Sequence, residues 1–377
     1  MSVHKNKDAK KNKWYYVFYT GEKVNGVRVR AKAGGFKTQK EAIAAEAERR
    51  DALNKGTYFE PAKTLFKDYI ADWLKNRRSI SQETVELYEN NLRLYINPVL
   101  GDIPLSKLNA QHVEDFLTSM DDKGLGEWSI KRAFSILNAA LNSAVTKDLI
   151  LKNPASKVEK PKVTRKSMAV WEPDFTFEFL EKTKGESRYW IAIYLAIMTG
   201  MRQGEILGLR WSDIDFDNKT LHIQQTVTKR RRIKDGAKTP SSIRSVALST
   251  DTVDKLKEHR KHILEDRLIA GQSYLNHDLV VCTAVGGPAT TRSVYRAWER
   301  FLKKYEAPHI TFHDLRHTHV AMMIKQGVHM KVISERLGHS SISVTMDIYG
   351  HLLPNMQSDA AELMDKLNTR LLDGTNK

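Results

Sequence analysis

Arg202, Lys238, His313, Arg316, His339 and Tyr349 lie in the second half of a 377-residue chain. Together they are the groups needed to break a phosphodiester without a metal. Arginines can hold the non-bridging oxygens of a phosphate and the extra charge it gathers on becoming five-coordinate. A tyrosine can attack the phosphorus, and a lysine or histidine can protonate the oxygen that leaves.

Each residue sits in a local pattern. In Thr199-Gly200-Met201-Arg202-Gln203-Gly204-Glu205-Ile206-Leu207, Gly200 permits close approach between helices and Arg202 opens a short helix. Glu205, one turn on, can hold the guanidinium in a pose that clamps two phosphate oxygens. Taken alone, such a pair is a surface salt bridge. Next, Leu221, Ile223, Gln225 and Val227 alternate as a strand does, and Lys229-Arg230-Arg231-Arg232 interrupts them. Asp235-Gly236-Ala237-Lys238-Thr239-Pro240 carries turn chemistry, and Ile243 to Leu248 resumes the strand. This predicts a short ribbon with Lys238 at its tip, where a lysine can touch a bridging oxygen, although spacing alone favours one of many exposed lysines; Arg230 and Arg231 are candidate DNA contacts.

In His313-Asp314-Leu315-Arg316-His317-Thr318, helical spacing puts His313 and Arg316 on one face, able to meet one phosphate. A histidine titrates near neutrality and can pass protons. The alternative, a metal held by His313, His317 and His319, lacks a standard zinc spacing and a fourth ligand. Leu337-Gly338 predicts a helix end with His339 just beyond it. Tyr349 follows one further short helix, a place where a lone tyrosine is ordinarily half-buried packing.

The elements that must position these groups fall into segments of different texture. Residues 1–60 open with a lysine-rich tail, followed by the aromatic strand Trp14-Tyr15-Tyr16-Val17-Phe18-Tyr19. Gly21 and Asn25-Gly26 predict turns. Val27-Arg28-Val29-Arg30 alternates apolar and basic, and Thr38 with Glu41 predicts a capped helix after Gly34-Gly35-Phe36. The segment is a small β-sheet with one helix. Its basic face, Arg28, Arg30 and Lys32, suits a DNA groove, the bland alternative being a solvated accessory domain.

Residues 64–153 predict four short helices, with Leu65, Tyr69 and Trp73 on one face and Val85, Tyr88, Leu92, Tyr95 and Ile96 on the next. Ser81 and Asn109 are candidate N-caps, and Asn97-Pro98 with Gly101 should end the second helix. Residues 154–171 form a basic linker carrying Lys157, Lys160, Lys162, Arg165 and Lys166. Residues 172–377 make the largest domain, mainly helical around the short ribbon, so the fold class is multidomain α+β. Its Trp190–Met201 run is too short to span a bilayer and predicts a buried helix. The last stretch, Ala360, Leu363, Met364, Leu367 and Leu371, is an apolar stripe at helical spacing that could dock on its own domain or a neighbouring protomer.

Composition agrees with an anionic partner. Apolar residues are 41% and the formal charge is +16, with a pI near 9.6; nucleic acid is the first candidate and an anionic membrane the second. The start, Met-Ser-Val-His-Lys-Asn-Lys, has no apolar segment of signal-peptide type. Cys282 is the single cysteine, which excludes an internal disulfide or a cysteine-rich zinc site. It lies in Leu279-Val280-Val281-Cys282, read as a buried strand. The cytoplasm is the expected compartment.

Taken together, the pieces closely resemble the tyrosine recombinases, the phage-integrase family. Its pattern of Arg, Lys, His-x-x-Arg, His or Trp, then Tyr is met in order by Arg202, Lys238, His313 with Arg316, His339 and Tyr349. The surrounding text, Thr-Gly-Met-Arg-Gln-Gly-Glu-Ile, His-Asp-Leu-Arg-His-Thr and Leu-Gly-His-Ser-Ser, matches too. Lys229 and Lys234 lie near Lys238 as rival matches. The likeness extends to a helical core-binding domain over 64–153 and an amino-terminal sheet for arm-type sites over 1–60, and is nearest to integrases of phages and conjugative elements of Gram-positive bacteria.

The resemblance implies strand exchange through a 3′-phosphotyrosine on Tyr349, without metal or nucleotide cofactor. Arg202 and Arg316 would bind the non-bridging oxygens, Lys238 would protonate the departing 5′ oxygen, His313 would assist proton transfer, and His339 would add a hydrogen bond. It also implies a homotetramer on two duplexes bearing core-type and arm-type sites in the bacterial nucleoid. Possible helpers are an excisionase and a host DNA-bending protein; no membrane is involved. A type IB topoisomerase would share the nucleophile but has no use for an arm domain. A non-catalytic DNA-binding regulator would not need the full set, and a metal-dependent transposase would need clustered carboxylates.

Overall fold

The computed structural model describes residues 2–6, 12–24, 27–54, 64–164, 168–228, 233–235, 243–352, 361–362 and 364–365. The chain divides into two compact units, Met1–Arg165 and Lys166–Lys377.

The first unit opens with an antiparallel sheet of β1 (Ser2–Lys5), β2 (Trp14–Val24) and β3 (Val27–Phe36) in the order β1-β2-β3. Two expectations change here. Part of the lysine-rich tail is a strand, because Ser2–Lys5 pairs with the aromatic strand from Val17 back to Trp14, satisfying an edge that would otherwise carry bare backbone groups. The predicted turn at Gly21 is absent; β2 runs through it, with a register shift between Tyr19 and Lys23 absorbing the irregularity. Val24 and Val27 then pair, and the Asn25-Gly26 connection lies outside the described residues. Arg28 and Arg30 stand in β3 opposite Lys23 and Tyr19, and their side chains also lie outside them. The Lys32 ammonium sits 3.9 Å from the centre of the Tyr15 ring. Helix α1 (Gln39–Asn54) follows, capped as expected: Glu41 N–H donates to Thr38 Oγ1 at 3.2 Å.

The helical part contains α2 (Phe66–Lys75), α3 (Gln82–Asn91), α4 (Asn97–Leu100), α5 (Ala110–Asp122) and α6 (Glu127–Thr146). Ser81 and Asn109 cap α3 and α5. The second helix does not stop at Asn97-Pro98. A π turn, Leu92–Ile96, joins α3 to α4, and the helical path ends at Gly101. A π turn breaks the regular ladder, so Pro98 can enter as an early residue of α4, where its missing N–H costs little. Phe66, Ile70, Leu100, Phe116 and Leu137 are in the core. The expected linker is not all tether: Ala155 and Val158 belong to this core. Asn153 fixes the turn, donating from Nδ2 to the side-chain oxygens of Asn138 and Asn142 at 2.8 and 2.6 Å.

The second unit is built around α8 (Trp190–Thr199), buried over nearly its whole surface, as its uninterrupted apolar run requires. Around it lie α7 (Pro173–Thr183), α9 (Gln203–Gly208), α10 (Thr250–Ala270), α11 (Thr291–Lys304), α12 (Asp314–Lys325), α13 (Met330–Leu337) and α14 (Ile342–Tyr349). The expected ribbon is two sheets. β4 (Ile214–Asp215), β5 (Thr220–Ile223) and β8 (Arg244–Ala247) form one, and β6 (Gln225–Val227) pairs with β7 (Ile233–Asp235) in the other.

Strand β6 approaches α9 closely. Gln225 Nε2 donates to the Gly208 carbonyl at 2.7 Å, and a Cβ on Gly208 would come within 2.9 Å of the Thr226 Cα. Leu279 to Cys282 is buried as expected but is not a regular strand; it makes only isolated bridges, Arg210 with Leu279 and Cys282 with Pro288. Among the described residues no helix is long and apolar enough to cross a membrane.

Candidate active site

Three helix ends converge in the second unit. Helix α8 ends at Gly200, whose φ of 66° is left-handed; a Cβ there would meet His319 Cδ2 at 2.7 Å and Leu337 Cδ2 at 2.9 Å. Helix α13 ends at Gly338, also left-handed, as its Leu-Gly signal predicts. Helix α12 begins beside them, with His313 as its N-cap residue.

Arg316 closes the junction. Its side chain is buried, with Nη1 donating to the Gly200 carbonyl at 2.6 Å and Nη2 to the Leu337 carbonyl at 2.8 Å. Carbonyls at helix C-termini lack intrahelical partners and carry partial negative charge, so a buried cation is well placed there. Arg316 Nη2 also lies 3.0 Å from His339 Nε2. A guanidinium can only donate, so Nε2 accepts, and the His339 proton sits on Nδ1, which faces Thr345 Oγ1 at 2.8 Å. Among the described residues these contacts account for three of the five N–H groups of the guanidinium. Burial first, then neighbouring Arg202, lowers the Arg316 pKa to about 9, so it stays charged at neutral pH.

Arg202 is the N-cap residue of α9, as expected. Its backbone N–H and its Nη1 each donate to Glu205, both at 2.9 Å. Glu205 is buried and also takes a fork from Arg244 on β8, at 3.2 and 2.9 Å. Burial pushes its carboxyl up, but the Arg244 and Arg202 contacts outweigh that and hold it below the ordinary value. Three guanidiniums against one carboxylate leave two positive charges, a field that suits phosphate.

The histidines respond to that field. His339 is lowered to about 4 by burial and then by Arg316, Arg202 and Arg244. His313 is lowered by desolvation and by Arg316, although part of its ring reaches solvent. Sequence spacing put His313 and Arg316 at one phosphate; the structure keeps them adjacent, with His313 at the exposed mouth and Arg316 beneath.

Tyr349 is the last residue of α14 rather than a residue beyond it, and is 1% exposed. Its hydroxyl lies 2.6 Å from His317 Nδ1. Burial pushes the phenol up to about 12, opposed by Arg316 and Arg202; the same two arginines thus act on the phenol. Lys238, Arg230 and Arg231 lie outside the described residues. Among the described residues no cluster of three or more His, Cys, Asp or Glu side chains could hold a metal.

Sequence reasoning did not single out Arg244, His317 as the partner of Tyr349, or Arg336. Arg244 had a signal: it alternates in register with Val246 and Leu248, both buried, so it had to point inward with a partner. His317 stands one turn from His313 on α12. Arg336 ties α13 to its surroundings through His319 Nε2 at 3.2 Å, the Ala247 carbonyl at 3.0 Å and the Met198 carbonyl at 3.1 Å; three acceptors from distant segments leave no local pattern.

Known proteins resemble the chain along most of its length. Residues 176–356 match the phage integrase family, residues 4–53 an arm DNA-binding domain, and residues 65–120 a phage integrase N-terminal SAM-like domain. A tyrosine recombinase XerC-like protein of Caldanaerobacter subterraneus subsp. tengcongensis is 30% identical, covering 95% of this chain and 98% of that protein. The ICEBs1 integrase of Bacillus subtilis is 28% identical, covering 91% and 94%. Among solved structures, the Tn1549 transposon integrase in complex with a circular intermediate DNA superposes with a TM-score of 0.67 at 22% identity, over 81% of this chain and 99% of that one. With a cluster of arginines and a buried tyrosine on a chain that such relatives match over nearly its whole length, the family follows: this protein is a tyrosine recombinase of the phage integrase family, an enzyme of site-specific DNA recombination.

Proposed function

We propose that this recombinase integrates and excises a mobile element by cutting DNA with Tyr349 and resealing it from the 3′-phosphotyrosine. The observation that carries this is the placement of the Tyr349 phenol in the field of both Arg202 and Arg316 within a single chain. On this reading Arg202 and Arg316 hold the scissile phosphate, Lys238 gives a proton to the leaving 5′ oxygen, His313 assists proton transfer, and His339 adds a hydrogen bond. Glu205 acts through Arg202.

Residues 1–60 bind arm-type sites through the basic face that includes Arg28, Arg30 and Lys32. Residues 64–153 bind the core site, 154–171 connect, and 172–377 carry the chemistry, with Arg230 and Arg231 near the DNA. The similarity to the ICEBs1 and Tn1549 integrases supports a mobile element as the host. A homotetramer in the nucleoid, with an excisionase and a DNA-bending protein setting direction, completes the proposal.

The test is a nicked suicide substrate incubated with the protein in chelator. Wild type should give a protein–DNA adduct that survives denaturation, and Tyr349→Phe should give none while binding DNA with similar affinity. An adduct in the Phe variant sinks the assignment.

A further inference from the structure

The Tyr349 phenol is buried and un-ionised, yet it must lose its proton when its oxygen becomes a phosphate ester. The group in contact with it is His317, Nδ1 to Oη at 2.6 Å. The His317 ring lies 5.4 Å from the Tyr349 ring and 5.1 Å, edge on, from the His313 ring. The direction of the hydrogen bond follows from what the hydroxyl would otherwise lack. No second partner of the hydroxyl occurs among the described residues; if Nδ1–H donated, the phenol would bury its own proton unpaired. The phenol therefore donates, and Nδ1 offers its lone pair.

We propose that His317 holds the Tyr349 hydroxyl in the catalytic centre and accepts its proton as the nucleophile attacks. The inference rests on Tyr349 as the nucleophile and moves the proton-accepting step from His313 to His317. In the step, the Tyr349 Oη–P bond forms and the P–O5′ bond breaks. The phenol proton passes to His317 Nδ1, giving an imidazolium, and the 5′ oxygen takes a proton from a separate acid, Lys238. Resealing runs the same path backwards, with the imidazolium returning the proton to the phenol.

The groups around the pair set its resting state. His313, Asp314 and Arg316 face His317 from α12, Arg316 and Arg202 act on Tyr349, and His317 itself acts on His339. Burial and the His313 and Arg316 charges hold His317 near 4, while the phenol is near 12. The proton thus stays on the tyrosine until attack begins, so the enzyme does not carry a phenolate without a phosphate to strike. Proton loss is concerted with bond formation, the situation in which a positioned base contributes most.

The test uses the full chain and single-turnover cleavage of a nicked suicide substrate, with DNA affinity and melting temperature measured on the same samples. His317→Ala should bind DNA within about twofold of wild type and cleave at least about 10² slower, the low end for loss of a proton-transfer group. His317→Asn keeps an acceptor near the Nδ1 position and should recover part of that loss. Replacing Tyr349 by 3,5-difluorotyrosine, whose phenol ionises far more easily, should restore cleavage to His317→Ala by at least tenfold while changing wild type little. A near wild-type rate for His317→Ala overturns the proposal. So does a loss that difluorotyrosine does not rescue in a variant that still melts and binds normally, which would make His317 a packing residue. Wild-type adduct formation, absent from Tyr349→Phe, tests the nucleophile separately.

Discussion

Glu205 receives two guanidiniums, and they are not equivalent. The Arg244 side chain is 7% exposed and the Arg202 side chain 40%. Arg244 also donates from Nε to the Arg336 carbonyl at 2.7 Å, so it joins β8, α9 and the end of α13. Removing it leaves a buried carboxylate short of charge and a carbonyl short of a donor, a loss on the scale of about 3–5 kcal/mol for a broken buried pair. Arg202 keeps part of its guanidinium in the open, where it can reach a phosphate. Arg244→Ala should therefore lower both the chemical-denaturation midpoint and the cleavage rate. Arg202→Ala should leave the midpoint nearly unchanged yet slow single-turnover cleavage by about 10² or more. Equal destabilisation by both variants would show that Arg202 is structural, and near wild-type cleavage by Arg202→Ala would remove it from the site.

At the scale of elements, the site is a meeting of helix termini, and Gly200 sets how closely they meet. Any side chain there would have to displace His319 and Leu337 and would also adopt a left-handed backbone. The same peptide supplies the carbonyl that Arg316 holds at 2.6 Å. Gly200→Ala should thus lower the melting temperature and reduce cleavage beyond what the stability loss explains, because Arg316 is moved with α12. A variant with normal cleavage and melting would mean that the junction has slack.

This element scale is also where the sequence was most and least readable. The apolar run from Trp190, the Arg202 and Glu205 spacing, the His313 and Arg316 spacing and the Leu-Gly ending pointed to α8, α9, α12 and α13 because local rules govern them. The pairing of Ser2–Lys5 with the aromatic strand, the strand passing through Gly21 and the split of the ribbon depend on partners distant in sequence, which no local pattern encodes. The site shows the same division. Arg202, His313, Arg316, His339 and Tyr349 came from motif order. Arg244 and the phenol's bond to His317 depend on which faces of separate elements happen to meet.

Over the whole molecule, charge and burial oppose each other. The chain carries a formal charge of +16, yet the second unit holds four histidines well below their ordinary value. These are His259, His317 and His339 near 4, and His319 near 3. Desolvation leads in each case, with neighbouring cations adding to it. His319 shows how it is satisfied when neutral: Nδ1 donates to the Ile197 carbonyl at 2.7 Å and Nε2 accepts from Arg336. A proton on Nε2 would remove that acceptor.

The sign of the pH effect follows from these depressed values. Between the folded values and an unfolded value near 6.5 the unfolded chain binds more protons, so stability rises with pH across that window. The stability is fully present above about pH 6.5 and drains away as pH falls towards 4. All four residues lie within Lys166–Lys377, so the loss belongs to that unit. Calorimetry of the full chain from pH 7.5 to 5 should show the transition of the second unit falling by more than about 5 °C. His319→Gln, which can donate to one neighbour and accept from another but cannot gain a proton, should flatten the slope. A melting temperature independent of pH over this range would mean that these rings are not held neutral, and the account of His317 as a lone-pair acceptor would fall with it.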